Sequence, residues 1–123
     1  AEMEFVATVQ SRTFEAEADK TDLFRAVLNP SVIPETLVIR SRLPGDRYGG
    51  VHHRKVKRML IDAKVPLPLR DCLPMVVAGQ AVIWIPGFRP AKPYIAQPDS
   101  GRCVIIEARR TGVREIPLPA SAV

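Results

Sequence analysis

The sequence predicts a mainly β domain of the α+β class: an antiparallel, sandwich-like arrangement of sheets with one or two short helices packed on it. Three observations point there. Twelve prolines and seven glycines in 123 residues break the chain into short elements and argue against long helices. Several short runs alternate apolar and polar residues, the period of a half-buried strand. One stretch alone repeats its apolar residues at helical spacing. At 46% hydrophobic the chain is too apolar for a disordered one and can bury a core. No apolar run approaches the ~18 residues of a membrane span, and no cationic-then-apolar leader is visible. A soluble, cytoplasmic protein with no membrane partner is therefore expected. The chain opens Ala1-Glu2-Met3-Glu4-Phe5, without an initiator Met, and the sequence leaves open whether it is a piece of a longer protein or a stand-alone one.

Phe5 to Val9 and Thr13 to Ala18 read as strands, the second alternating cleanly. Phe24 to Leu28 is a third, closed by Asn29-Pro30. Thr36 to Arg42 follows, with Leu37 and Ile39 on one face and Val38 and Arg40 on the other. Pro44-Gly45 marks a type II turn, because Pro sets φ at its second position and Gly accepts the positive φ at its third. Arg54 to Lys64 is the best helix, with Val56, Met59, Leu60 and Ala63 forming one apolar stripe that Pro66 stops. Leu67 to Leu73 reads as a second short helix. Met75 to Val77 and Ala81 to Ile85 form a hairpin about Gly79, ended by Pro86-Gly87, and Trp84 is expected in the core. Tyr94-Ile95 and Cys103 to Ala108 supply two further strands. One domain is expected over residues 1–110, with 111–123 as a flexible tail. Cys72 and Cys103 read as small, half-buried, reduced residues.

Charge is concentrated. The whole chain carries +5, yet residues 38–70 hold nine Lys/Arg against two Asp/Glu, and residues 1–37 hold three against seven. Such a segment is an electrostatic footprint for a polyanion, or a solvated face that adds solubility. Placement favours the polyanion. Arg54, Lys55, Lys57 and Arg58 crowd the start of the predicted helix, where cations cost ~0.3–1 kcal/mol each and no N-cap residue stands. A phosphate there reverses the sign of each term. Arg40, Arg42 and Arg47 flank the turn. Asp46 is expected to cap the turn or pair with Arg47, and Asp62 to pair with Arg58 one turn earlier. His52 and His53 are exposed loop residues without partners at metal-ligand spacing, so no metal site is expected.

No catalytic set is present. There is no Gly-rich phosphate loop ending in Lys-Ser/Thr, no His-Glu-x-x-His and no Gly-x-Ser-x-Gly. Aromatic residues are few, which favours recognition of RNA by backbone and shape over base stacking. A protein-interaction or scaffolding domain is the alternative. It would show an exposed apolar patch and salt-insensitive binding.

Val38 to Arg47 resembles the R-x-R-x-PGDR signature of the C-terminal substrate-binding domain of tRNA(Ile)-lysidine synthetase. Arg54 to Pro66 resembles that family's KKLKKFLIDAKVP, Leu69 to Val77 its LRDRLPLLV, and Ile83 to Arg89 its ILWVPGLR. The motifs follow in order over about residues 37–95. The family's Gly-rich approach to the basic pair is replaced here by Gly49-Gly50-Val51-His52-His53. The resemblance implies a β-sandwich with helices, related to a domain of the phenylalanyl-tRNA synthetase β subunit. It implies a tRNA-binding domain that grips the acceptor-stem region of the CAU-anticodon tRNA(Ile). The parent's PP-loop domain, whose SGGxDS motif is absent here, then uses ATP and lysine to make lysidine at the wobble cytidine. This chain itself would hold no cofactor and no catalytic residue. Carried over by position, the phosphate-contact candidates are Arg40, Arg42, Arg47, Arg54, Lys55, Lys57, Arg58, Lys64, Arg70 and Arg89.

Overall fold

The computed structural model describes residues 3–11, 23–50, 53–96 and 101–110. The predicted strand Thr13–Ala18 and the tail 111–123 lie outside them. Strands β1 (Met3–Ser11), β2 (Arg25–Leu28), β3 (Val38–Arg40), β4 (Met75–Ala78), β5 (Ala81–Trp84) and β6 (Arg102–Arg110) form two antiparallel three-stranded sheets. Their orders are β1-β6-β2 and β3-β4-β5. Helices α1 (Val56–Asp62) and α2 (Leu67–Arg70) lie between β3 and β4 in sequence.

In the first sheet β1 pairs with β6 from Met3↔Arg110 to Ser11↔Arg102. Strict alternation gives this sheet its inner face. Ala26 and Leu28 of β2 and Val104, Ile106 and Ala108 of β6 all turn to the second sheet. There they meet Val76 and Ala78 of β4 and Ala81, Ile83 and Trp84 of β5. The other face of the second sheet is apolar as well. Met75, Val77, Val82 and Ile85 pack against Val56 and Leu60 of α1. The result is three layers, sheet on sheet on helix. This explains why β4 and β5 are buried at every position and read as nearly continuous apolar runs.

A register shift sharpens the inner core. Val76 pairs with Trp84 and Val77 with Val82, so Ile83 is the extra residue of a β-bulge. Ile83 and Trp84 therefore both enter the inter-sheet core. The Trp84 ring meets Phe5 of β1 edge-to-face, with centroids 6.1 Å apart at 85°. Its indole N–H donates to the Phe88 carbonyl at 2.9 Å, which satisfies its one polar group.

The structure corrects several of these expectations, and the second helix, expected over Leu67–Leu73, ends at Arg70. The strand expected over Thr36–Arg42 pairs only over Val38–Arg40. The helix expected from Arg54 begins at Val56, with Lys55 as an N-cap that makes no side-chain hydrogen bond. Tyr94-Ile95 is not a strand: Lys92–Tyr94 is a 3-10 turn with Pro93 in its first positions, and Ile95 makes an isolated bridge to Leu28. Neither cysteine is half-buried, because Cys103 is buried and Cys72 exposed, both as free thiols.

Because Trp84 is fully buried and touches both sheets, Trp84→Ala should cost about 3–5 kcal/mol. Urea unfolding followed by circular dichroism checks this. A loss below about 1 kcal/mol would contradict the assigned packing.

Candidate nucleic-acid interface

The basic segment is a loop wound onto the second sheet. After β3 the chain turns at Leu43-Pro44-Gly45-Asp46. The Asp46 N–H donates to the Leu43 carbonyl at 3.2 Å, and Gly45 takes φ +86°, the conformation that a type II turn requires. The chain then runs beside β5. The Val82 N–H donates to the Arg47 carbonyl at 3.1 Å, and the Gly49 N–H donates to the Val82 carbonyl at 2.8 Å. A Cβ on Gly49, at φ +100°, would lie 3.3 Å from the His53 ring, so this close approach needs Gly. The Tyr48 N–H donates to the Arg54 carbonyl at 2.8 Å, and the Val56 N–H, the first of α1, donates to the Asp46 carbonyl at 2.9 Å. The backbone thus sets Arg47 beside Lys55.

Asp46 holds this loop together. Its carboxylate accepts both terminal nitrogens of Arg40, at 2.8 and 2.9 Å, and the Leu43 N–H at 2.8 Å. The Asp46 side chain is only 8% exposed. The Arg40 bond outweighs burial and holds the Asp46 carboxyl below the usual carboxylate range, with help from the Leu43 N–H. Asp46 thus caps the turn, as expected, but pairs with Arg40 and not Arg47. The Arg47 guanidinium instead donates to the His53 carbonyl at 2.8 Å.

The other candidates divide by what their head groups meet. Asp62 accepts from Arg54 and lies 3.4 Å from Arg58, one turn earlier as expected. Arg42 reaches Asp71 at 2.5 Å, and Arg70 donates to the Val65 carbonyl at 2.9 Å. Lys55, Lys57, Lys64 and Arg89 are exposed and have no carboxylate or side-chain hydrogen-bond partner among the described residues. Arg89 sits on a loop that Tyr48 anchors by donating its hydroxyl to the Arg89 carbonyl. Burial pushes the Tyr48 phenol up, so it stays protonated and a donor. Sequence reasoning missed this anchor, because nothing local links residues 48 and 89.

Fewer cations stand at the start of α1 than the sequence suggests. Arg54 and Lys55 precede α1, so only Lys57 and Arg58 stand in its first turn. A seven-residue helix whose first N–H is already bonded to Asp46 offers no anion site of its own. Unpaired side chains, not the helix terminus, supply the positive field. His53 is exposed, and His52 lies outside the described residues. Among the described residues no group of three metal-capable side chains assembles, and no helix is long and apolar enough to cross a membrane.

Fold and site together define a small antiparallel module whose cations sit on one loop, one helix and the loop after β5. Residues 37–107 match the family model of the TilS substrate C-terminal domain. The match covers more than half of the chain, and the chain belongs to that family. Among similar proteins, the tRNA(Ile)-lysidine synthase of Symbiobacterium thermophilum is 42% identical over 72 residues, 56% of this chain and 14% of that protein. Its counterpart in Deinococcus deserti is 40% identical over 74 residues, 53% and 13% of the two chains. The match thus spans about one-seventh of the length of these relatives. A crystal structure of a TilS C-terminal domain shares the fold, with a TM-score of 0.71 at 19% identity over 89% of this chain and 85% of that one.

The Asp46 pair gives a pH signature. A carboxyl depressed in the folded state stabilises fully above its unfolded value of about 4, and that contribution is lost as pH falls through the folded value. Wild type should exceed Asp46→Asn by about 1–3 kcal/mol at neutral pH. The gap should narrow progressively as pH falls below ~4. Urea midpoints of both proteins across pH check this, and a gap that stays constant or widens as the solution is acidified would contradict it.

Proposed function

We propose that this chain is the tRNA-binding module of a tRNA(Ile)-lysidine synthase. It grips the acceptor-stem region of the CAU-anticodon tRNA(Ile), while a PP-loop domain of the same enzyme, using ATP and lysine, makes lysidine at the wobble cytidine. The cell compartment is the cytoplasm, where that tRNA is processed. The observation that carries the reading is the set of exposed cations without side-chain partners among the described residues, Lys55, Lys57, Lys64 and Arg89, all within the family-matched segment. Arg54 and Arg58 add to it, because an exposed ion pair is worth ~0–1 kcal/mol and a phosphate can take the place of Asp62. Cations of this kind hold the RNA backbone and position it without reading sequence.

A second reading has one observation in its favour. Between β1 and β3 the two sheets leave an apolar groove of about 510 Å³, lined among others by Phe5, Val9, Ile33, Leu37 and Ile39. Val9 is 63% exposed and Ile39 48%. Such a surface fits a protein-interaction role, whose binding would be insensitive to salt.

Lys64 offers a separate check. It is the one non-Gly residue at positive φ among the described residues, +58°, in the capping position after α1 where Gly is the default. The side chain is thus held at a conformational cost of ~1–2 kcal/mol. Lys64→Gly relieves this strain and loosens the unfolded chain, so stability should hold or rise by up to about 1 kcal/mol. tRNA binding should weaken at the same time. Melting curves and filter binding test the pair of effects, and equal affinity would remove Lys64 from the interface.

Lys55→Glu combined with Arg58→Glu should sharply reduce tRNA binding and lower the log–log salt slope by roughly 0.7–0.9 for each phosphate no longer neutralised. Titration of a CAU-anticodon tRNA(Ile) transcript at several salt concentrations measures both. Wild-type affinity in the double variant would overturn the proposed function.

A further inference from the structure

We infer that Asp46, an acid inside the basic segment, promotes polyanion binding as a positioning residue; the inference rests on the tRNA-binding reading above. The three acids among these cations differ in burial. The Asp62 side chain is 42% exposed and Asp71 68%, against 8% for Asp46. Water competes for the first two, and a phosphate can replace either at small cost. Asp46 is harder to exchange, because its carboxylate is largely shielded and makes three hydrogen bonds that a phosphate would have to replace together.

Its bonds reach the end of β3, the turn and the start of α1, though not the loop that carries Arg89. The carboxylate holds Arg40 at the end of β3 and the Leu43 N–H in the turn, and the Asp46 carbonyl accepts the first N–H of α1. Arg47 follows directly, its guanidinium on the His53 carbonyl and its backbone bridged to Lys55. Arg40 has both terminal nitrogens on Asp46, so it acts as frame and the phosphates fall to its neighbours. The Asp46 carboxylate therefore ties the end of β3 to the turn that leads into Arg47, and its main-chain carbonyl ties that turn to the start of α1 beside Lys55 and Lys57. Preformed spacing of this kind lowers the ordering cost of binding.

The consequence opposes simple electrostatics. Removing an acid raises net charge by one and should tighten RNA binding. That is the expectation for Asp62→Asn, roughly twofold to threefold tighter as Arg54 and Arg58 are released. For Asp46→Asn the opposite holds: about tenfold weaker binding at ~0.1 M salt and a slope shallower by about one, the equivalent of one phosphate left without its cation.

The experiment compares wild type, Asp46→Asn and Asp62→Asn as the full 123-residue chain, with the CAU-anticodon tRNA(Ile) transcript as probe. Measurements run across a salt series at a temperature where circular dichroism shows each variant folded. Opposite signs for the two variants support the inference. Asp46→Asn binding as tightly as wild type, or more tightly, overturns it while leaving the tRNA-binding reading intact. No salt-dependent binding by wild type overturns both. If Asp46→Asn does not fold, Asp46→Glu decides: it keeps the charge but shifts the carboxylate, so weaker binding supports the inference and wild-type affinity overturns it.

Discussion

Strands β4 and β5 have no face toward water, and the rest of the molecule is arranged around that constraint. Met75–Ala78 and Ala81–Trp84 are buried at every position, one face against the first sheet and the other against α1. Apolar side chains meet the demand of burial, but the backbone N–H and C=O groups of both strands still need partners. β3 supplies them on one side. On the other, Arg47 and Gly49 exchange hydrogen bonds with Val82, which also covers an edge that would otherwise be open to pairing with another chain. The basic loop therefore lies against β5 because the sheet requires it. Folding itself thus places the cations of this loop at the edge of the second sheet.

Burial then sorts the charges that the loop carries. Arg40 and Asp46 are drawn into the structure and become frame. Arg54, Arg58 and Asp62 remain in water, where attraction is screened and partners exchange. Lys55, Lys57, Lys64 and Arg89 have no side-chain partner to exchange among the described residues. A surface built only for solubility would gain from interspersed signs. Here the acid most shielded from water among these cations, Asp46, is held by Arg40 and the turn, while Asp62 and Asp71 stay exposed.

Where the sequence was legible, the cause was local. Gly79 between two apolar runs announced the hairpin, Pro44-Gly45 the turn, and Val56, Met59 and Leu60 the helix face. The Arg58–Asp62 pair followed from helical spacing. Where it was not legible, the deciding interaction was distant. The start of α1 is set by the Asp46 carbonyl, ten residues upstream of the N–H it accepts, and no local N-cap signal marks it. Arg54 reaches Asp62 from outside the helix. Tyr48 finds the Arg89 carbonyl only once β5 brings both loops to one end of the sheet. The candidate cations were readable as a group from charge density, but their division into frame and free head groups was not, because it depends on burial.

Similarity to relatives bears the same imprint. The family model begins at residue 37 and so includes the turn, both helices and the second sheet, but neither β1 nor β2. The shared fold extends to 89% of the chain at only 19% identity. A strand that buries one face needs an apolar residue at alternate positions and tolerates many choices there. A loop that must bond Arg40 and the Leu43 N–H through one carboxylate, turn at one glycine and pass a His ring at another tolerates few. The family match takes in the loop whose hydrogen-bond geometry the cations depend on, together with most of β6, while the likeness in fold extends further along the chain.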